Sequence, residues 1–178
     1  MPKTTGIHHI TAISGPAQET LDFYTQGLGL RLVKTTVNFD DPGTYHLYVG
    51  DATGRPGSIL TFFPWAHAVA GQTGAGMVQA TAFAIPEASL DYWTNRLPST
   101  GARHVAEPID RVGTPVIRFR DPHGLPLELV ATPGGGSVRW VGRWPGFSRA
   151  RHPGIRQCHA CCGCDRSYGG RAHHPTGL

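Results

Sequence analysis

The sequence LDFY at residues 21–24 decides the fold, because LDYW at residues 90–93 repeats it 69 positions later. In each copy the leucine, the last aromatic residue and a second leucine recur at the spacing i, i+3, i+7, which is one face of an α-helix. These residues are Leu21, Tyr24 and Leu28 in the first copy and Leu90, Trp93 and Leu97 in the second. The repeat therefore predicts two related helices that bury equivalent faces.

Strand patterns surround both helices in the same order. An alternating apolar stretch precedes each helix, and three further strand candidates follow it, separated by turns that contain Gly or Pro. The candidates are residues 7–13, 30–34, 45–49 and 58–63 in the first half, and 78–85, 103–106, 115–119 and 125–130 in the second. Each half therefore has the order βαβββ, with the first unit at residues 6–66 and the second at 77–132.

One such unit is too small to bury both a helix face and a sheet face. We therefore predict an α+β domain at residues 6–132, in which two tandem βαβββ units form a curved mixed sheet with a concave cavity. Ser14 is expected to cap the first helix, and Gly27 is expected to end it. The unpaired sheet edge and apolar surface left by two units further predict a homodimer or a poorly soluble protein.

Residues 134–178 differ in composition from the rest of the chain. They contain seven of the sixteen basic residues, all arginine, together with one acid and all four cysteines, whereas residues 1–133 carry a net charge of −2. Their only Leu or Ile residues are Ile155 and Leu178, which is too little for a core. We predict a disordered or frame-shifted tail. Nonspecific nucleic-acid binding is disfavoured, because the tail lacks lysine and regularly interleaved aromatic residues.

The tail cysteines have a spacing that is typical of zinc ligands. Two residues separate Cys158 from Cys161 and Cys161 from Cys164, as in zinc knuckles, and His173 and His174 could complete a tetrahedral site. A folded zinc ribbon, however, places about 12–20 residues between its ligand pairs. The tail lacks that spacing, so an unstructured tail is the preferred prediction.

Membrane insertion and secretion are disfavoured by the sequence. No stretch approaches the roughly 18 consecutive apolar residues that a membrane span needs. The first residues also lead into a strand without the apolar region of a secretory signal. These features predict a cytoplasmic protein without a membrane partner.

The βαβββ repeat resembles the vicinal oxygen chelate superfamily, which includes glyoxalases, bleomycin and fosfomycin resistance proteins and extradiol dioxygenases. Three motifs resemble more specifically the ring-cleaving dioxygenases that act on hydroquinone-type aromatics. They are GIHHIT at residues 6–11, NFDDPGTYHLY at 38–48 and LTFFPW at 60–65. Those dioxygenases carry four units, so the resemblance, which covers residues 6 to about 132, implies a product truncated to the N-terminal half.

The resemblance implies a metal-dependent, extradiol-type dioxygenase that cleaves a dihydroxylated aromatic, such as a hydroquinone or catechol, with O₂. Its metal would be Fe(II), or alternatively Mn(II) or Zn(II), and it would lower the pKa of the bound phenol. Two alternatives stay open. One is a small-molecule binding protein without catalysis, like glyoxalase or bleomycin-resistance relatives, and the other is an inactive truncated remnant.

His9 is the first metal ligand that the resemblance implies. The superfamily places a ligand early in the opening strand, 15 residues before the helix tyrosine, and His9 has that spacing to Tyr24. Imidazole suits all three candidate metals. His8 is expected to point to the opposite face by strand alternation. A hydrogen-bonded structural role for His9 stays an alternative.

Glu128 is the second implied ligand. The sequence DPHGLPLE at residues 121–128 resembles the superfamily pattern Asp-Pro-x-Gly-x-x-x-Glu, which ends the last strand of a second unit. A carboxylate in this apolar strand is costly unless it is paired or bound to metal, although alternation also allows it to reach water. In the four-unit relatives the site is implied to join units one and four, which would make Glu128 part of a vestigial site.

A third ligand is missing from these positions. The equivalent place in the second unit is Gln79, a weak iron ligand, so that the third ligand could be Gln79, come from a partner chain or be absent. His46, in YHLY at residues 45–48, is the predicted catalytic acid or base, with a structural strand histidine as the alternative. Phe62, Phe63 and Trp65 are predicted to form an apolar cavity wall.

Overall fold

The structure, a computed structural model, describes residues 6–72 and 74–133 and the backbone of Cys158–Cys161. The first unit contains β1 (His9–Ser14), α1 (Ala17–Leu21) continued by a π-helix (Asp22–Gly27), β2 (Arg31–Val37), β3 (Tyr45–Gly50) and β4 (Ile59–Pro64). The second unit contains β5 (Ala80–Pro86), α2 (Leu90–Arg96) between two 3₁₀ turns (Glu87–Ser89 and Leu97–Ser99), β6 (Ile109–Asp110), β7 (Pro115–Arg120) and β8 (Pro126–Thr132), and β9 (Cys158–Cys161) follows. The predicted α+β class and the βαβββ repeat are confirmed.

Each unit forms its own mixed sheet. The strand order is β1-β4-β3-β2 in the first sheet and β6-β7-β8-β5-β9 in the second. The opening strand of each unit lies parallel to the last strand, and the other pairs are antiparallel. Within the described residues no strand pairing joins the two sheets, because β9 occupies the second edge of β5. The expected continuous sheet is therefore divided in two.

One apolar core lies between the helices and both sheets. The repeated helix residues Tyr24, Leu28, Trp93 and Leu97 are all buried in it, as the repeat predicts. The strands contribute alternate residues, namely Leu47, Val49, Leu60, Phe62, Phe83, Ile85, Ile117, Phe119, Leu127, Leu129 and Ala131. Each large side chain of this kind stabilises the fold by about 1.5–3 kcal/mol. The opposite face of each sheet is consequently free of the helices.

The two units meet where the turn before β8 reaches the start of α1. His123 of this turn lies with its Nε2 3.3 Å from Thr20 Oγ1. Its ring also covers Gly15, where a Cβ atom would lie 2.5 Å from His123 Nδ1. Glycine at position 15 therefore permits the close approach of the two units.

Two local predictions are wrong. The α1 helix begins after Pro16 without a side-chain cap, because Ser14 Oγ instead accepts a hydrogen bond from Thr20 Oγ1 at 2.9 Å. Residues 103–106 form an isolated bridge between Arg103 and Arg120 and one further backbone bond from Ala106 to Arg118, rather than a strand. His104 has a φ of 51°, which breaks an extended run. Gly27 does end the helical segment, which becomes a π-helix in its second half.

Only the backbone of Cys158–Cys161 is described within residues 134–178. It forms β9, antiparallel to β5 with Cys158 opposite Phe83, a strand that the sequence did not predict. Apart from this strand, the predicted disorder or frame shift of the tail concerns residues outside the described ones. The same holds for the alternatives of zinc binding and nucleic-acid binding. In the described part of the chain, no helix has the length and apolar character to cross a membrane.

Candidate functional site

Polar and aromatic side chains collect on the face of the first sheet that points away from the helices. Side chains alternate along a strand, so the residues between the core-facing ones share this face. We call it the open face, and its polar and aromatic side chains are His9, Thr11, Lys34, Thr36, His46, Tyr48, Thr61 and Phe63. Thr11, Thr61, Tyr48 and Lys34 stand opposite one another in register across all four strands.

His46 lies at the centre of a hydrogen-bonded chain on the open face. Its Nδ1 is 3.0 Å from Tyr48 Oη, and its Nε2 is 3.0 Å from Thr61 Oγ1. Thr61 in turn donates to Thr11 Oγ1 at 2.9 Å. Because the Thr61 proton is engaged with Thr11, Thr61 accepts from Nε2–H, and Nδ1 accepts from the Tyr48 hydroxyl. A neutral imidazole, with one donor and one acceptor nitrogen, satisfies this chain.

Burial and neighbouring charge both favour the neutral form of His46. Burial lowers the pKa of His46 below its ordinary value of 6.5, and electrostatic repulsion from the neighbouring His9 and Lys34 side chains lowers that pKa further. A group with such a pKa is uncharged at pH 7 and able to accept a proton. The structure thus provides a base at the predicted catalytic position, while its role in a reaction stays a prediction.

Four rings follow one another along the open face and past its end. The ring centroid of His46 lies 4.3 Å from that of Tyr48 and 4.2 Å from that of Phe63. The centroids of Phe63 and Trp65 lie 6.3 Å apart, with the two rings stacked. We call Tyr48, His46, Phe63 and Trp65 the aromatic row. All four side chains are partly exposed. They therefore offer ring surfaces against which a planar ligand can pack.

A tight turn fixes the outer end of the aromatic row. Trp65 Nε1 donates to Thr44 Oγ1 at 2.9 Å, and Thr44 donates to the carboxylate of Asp41. Phe63 lies on the open face and Trp65 follows at its end, and their role as a cavity wall stays a prediction. That prediction is wrong for Phe62, which alternates to the helix side and is buried with its ring centroid 4.5 Å from that of Tyr24.

His9, the first predicted ligand, lies exposed on the open face. The ring of His8 contacts it, with the two Nδ1 atoms 3.1 Å apart and the ring planes nearly perpendicular. The expectation that His8 turns away is wrong, because β1 begins at His9 and alternation does not constrain the residue before a strand. The structure therefore groups His8, His9 and His46 at one side of the first sheet.

Glu128, the second predicted ligand, lies on the second sheet and is only 5% exposed. Arg111 donates to both of its carboxylate oxygens, from Nη1 at 2.9 Å and Nη2 at 2.6 Å. Arg118 Nε lies 3.3 Å from Oε1. No sequence pattern indicated Arg111 as the partner, although a buried carboxylate in this strand was expected to be paired or metal-bound.

The described residues do not fit a complete metal site. Among them, no group of three or more His, Cys, Asp or Glu side chains could hold an ion together. Gln79 is exposed ahead of β5, and both oxygens of Glu128 already accept hydrogen bonds from arginine. A site with two histidines and one carboxylate would need ligands from outside the described residues.

Fold and sequence together define the class of protein. The sequence profile of the Glyoxalase/Bleomycin resistance protein/Dioxygenase superfamily matches residues 6–129. The chain belongs to this superfamily, which confirms the resemblance.

The chain is similar to several proteins that are named as dioxygenases. The chain is 51% identical to "Putative ring-cleaving dioxygenase MhqO" of Bacillus subtilis (strain 168), over 78% of this chain and 44% of that protein. It is 35% identical to the chlorohydroquinone/hydroquinone 1,2-dioxygenase of Sphingobium indicum, over 72% of this chain and 40% of that protein. A crystal structure of a "putative dioxygenase" from Bacillus subtilis superposes with a TM-score of 0.78 at 46% identity, over 89% of this chain and 49% of that one. The chain spans less than half the length of the curated relatives it matches.

Proposed function

We propose that this chain acts in the oxidative cleavage of a dihydroxylated aromatic, such as a hydroquinone or catechol, by O₂. The observation that carries the proposal is the neutral His46, held between Tyr48 and Thr61 on a face lined by rings. Relatives named as dioxygenases, which the chain matches over 72–78% of its length, support it. The open face would bind the aromatic ring, and we propose that the chain works as a homodimer.

His46 would act as the base that removes a phenolic proton. A dihydroxylated ring becomes electron-rich enough to react with oxygen when it loses this proton. Tyr48 Oη can accept the substrate proton while it passes its own to His46 Nδ1, since these atoms are already hydrogen-bonded at 3.0 Å. The imidazole then carries one positive charge, and Thr61 keeps it in place through Nε2. Such proton transfer contributes about 10²–10⁴-fold to a rate.

His9 is the residue that we propose as a metal ligand, toward Fe(II) or alternatively Mn(II) or Zn(II). It is exposed on the same face as His46, whereas Glu128 is engaged by Arg111 on the other sheet. We therefore propose that Glu128 belongs to a vestigial site. The other ligands of the metal bound by His9 would come from outside the described residues.

Oxygen uptake and metal content test this function. The full chain would be reconstituted with Fe(II) and supplied with hydroquinone, and O₂ consumption and ring-opened product would be measured. His46→Gln should reduce turnover by about 10²-fold or more, and His9→Ala should remove the bound metal. His67→Gln is the matched control, since His67 is exposed in the loop after β4. Full activity of His46→Gln, with the fold intact by circular dichroism, would contradict the proposed base.

A small-molecule binding protein without catalysis is the second candidate. The observation that favours it is the incomplete ligand set within the described residues. Binding of hydroquinone by calorimetry, without oxygen uptake or metal after reconstitution, would support this candidate over the dioxygenase.

A further inference from the structure

We propose that the open face selects aromatic molecules that carry a negative charge, as a phenolate or a carboxylate, and that Lys34 is the residue that sets this specificity. The inference rests on the proposed function for the assignment of an aromatic ligand to this face. It goes further by naming the charge of the ligand and the side chain that recognises it.

Lys34 stands at one end of the aromatic row. It belongs to the edge strand β2 and is paired in register with Tyr48 of β3. Its Nζ lies over the Tyr48 ring, 5.4 Å from the centroid. A cation–π contact of this kind holds the ammonium group beside the ring. No salt bridge within the described residues neutralises Lys34, so its charge is available to a ligand.

The open face contains the ammonium group of Lys34 and no acidic side chain, since none of its members is Asp or Glu. Acids of the first unit are used elsewhere: Asp41 shapes the turn before β3, and Asp51 pairs with Arg55 in the loop before β4. A surface with charge of one sign attracts ligands of the opposite sign. The open face therefore favours an anion.

The positions of Lys34 and Trp65 at opposite ends of the aromatic row would also orient a bound ring. The aromatic row begins under the Lys34 ammonium at Tyr48 and ends at Trp65, whose indole N–H is already bonded to Thr44. A ring packed against His46 and Phe63 would place an anionic substituent toward Lys34 and its apolar edge toward Trp65. Charge at one end and apolar surface at the other would orient the ligand as well as select it.

Two ligands of the same shape and different charge test the inference. Calorimetry would compare binding of 4-hydroxybenzoate and 4-hydroxybenzamide to the full chain at neutral pH, without oxygen. Because a solvent-exposed ion pair is weak, we expect wild type to bind the benzoate roughly fivefold more tightly than the amide. Lys34→Gln should abolish this ratio without weakening binding of the amide, and Lys34→Arg should restore it.

Arg31→Gln is the matched control. Arg31 is a cation on the same strand, but it lies beside the helix, where it reaches the carbonyl oxygen of Ala52, so its loss should leave the ratio unchanged. Equal binding of both ligands to wild type, a ratio that persists in Lys34→Gln, or no binding of either ligand would each overturn the inference. A protein that shows the ratio but cleaves no ring would refute the proposed function and leave the charge selection in place.

Discussion

Tyr24 Oη donates a 3.0 Å hydrogen bond to Asp121 Oδ2, and this bond joins the helix of the first unit to the last turn of the second. Both side chains are buried, at 0% and 1% exposure. The other carboxylate oxygen accepts the backbone N–H groups of His123 and Leu125. One side chain thus shapes the turn before β8 and attaches it to the neighbouring unit.

Loss of this bond should destabilise the whole domain. Tyr24→Phe leaves a buried carboxylate oxygen without its hydroxyl partner, so the free energy of unfolding should fall by about 1–3 kcal/mol. Urea denaturation followed by circular dichroism measures the change. Tyr45→Phe removes a hydroxyl from a side chain that is 57% exposed and should change stability by less than about 0.5 kcal/mol. Equal effects of the two substitutions would show that the Tyr24 bond does not hold the units together.

A single surface substitution should stabilise the protein. The β6–β7 hairpin turns through Val112 and Gly113, which both have positive φ, 52° and 76°. Reciprocal backbone bonds between Arg111 and Thr114 close the turn, as in type I′, which prefers Asn-Gly. Valine in this conformation costs about 1–2 kcal/mol, and Val112 is fully exposed, so it contributes no packing in return. Val112→Asn should therefore raise the free energy of unfolding by about 1 kcal/mol.

Thermal denaturation measures this gain, and Val69→Asn is its control. Val69 is 94% exposed and has no positive φ, so the same exchange there should change nothing. A melting temperature of Val112→Asn that is no higher than wild type would contradict the strained turn.

Acid should unfold the protein partly through Asp51. Burial alone would raise the pKa of Asp51, but the Arg55 side chain and the backbone N–H groups of Thr53 and Arg55 outweigh it and lower the pKa from 3.8 to about 2. A depressed carboxyl pKa contributes stability above pH 3.8 that is lost as the pH falls toward 2. The contribution is about 2 kcal/mol, from 1.36 kcal/mol for each pKa unit.

Denaturation between pH 5 and pH 2 tests this contribution. Asp51→Asn should be less stable at neutral pH and should lose less stability than wild type on acidification. Asp40→Asn removes an exposed carboxylate of the first unit and should follow the wild-type profile. A profile of Asp51→Asn that is parallel to wild type would exclude Asp51 as a source of acid sensitivity.

The sequence predicts the fold better than the site. Apolar residues at helical spacing indicate which face of a helix is buried, and Leu28 and Leu97 are predicted correctly for this reason. The contact of Lys34 with Tyr48 could not be predicted, because it depends on the register of β2 against β3, which shifts at an irregularity between Leu32 and Lys34. The hydrogen-bonded chain from Tyr48 through His46 and Thr61 to Thr11 likewise joins residues on three strands. Periodicity shows which face a side chain occupies, whereas its neighbours across the sheet follow from register.

The pairing of Arg111 with Glu128 shows the same limit and can be tested by a double-mutant cycle. Arg111 precedes Glu128 by 17 positions, and the type I′ turn brings the two side chains together. Arg111 then donates to both carboxylate oxygens of Glu128. Arg111→Met should lower the free energy of unfolding by roughly 2–3 kcal/mol, because it leaves the buried Glu128 carboxylate with Arg118 as its remaining ion-pair partner among the described residues. Combining it with Glu128→Leu removes that charge and should recover most of the loss.

Metal analysis of a Glu128→Gln variant completes this test. If the arginines already satisfy the carboxylate, the variant should keep the metal content of wild type after reconstitution, whatever that content is. His9→Ala serves as the comparison, since His9 is the proposed ligand and lies on the other sheet. Loss of metal in Glu128→Gln would mean that the ion displaces Arg111 from the carboxylate. Glu128 would then be a ligand rather than part of a vestigial site.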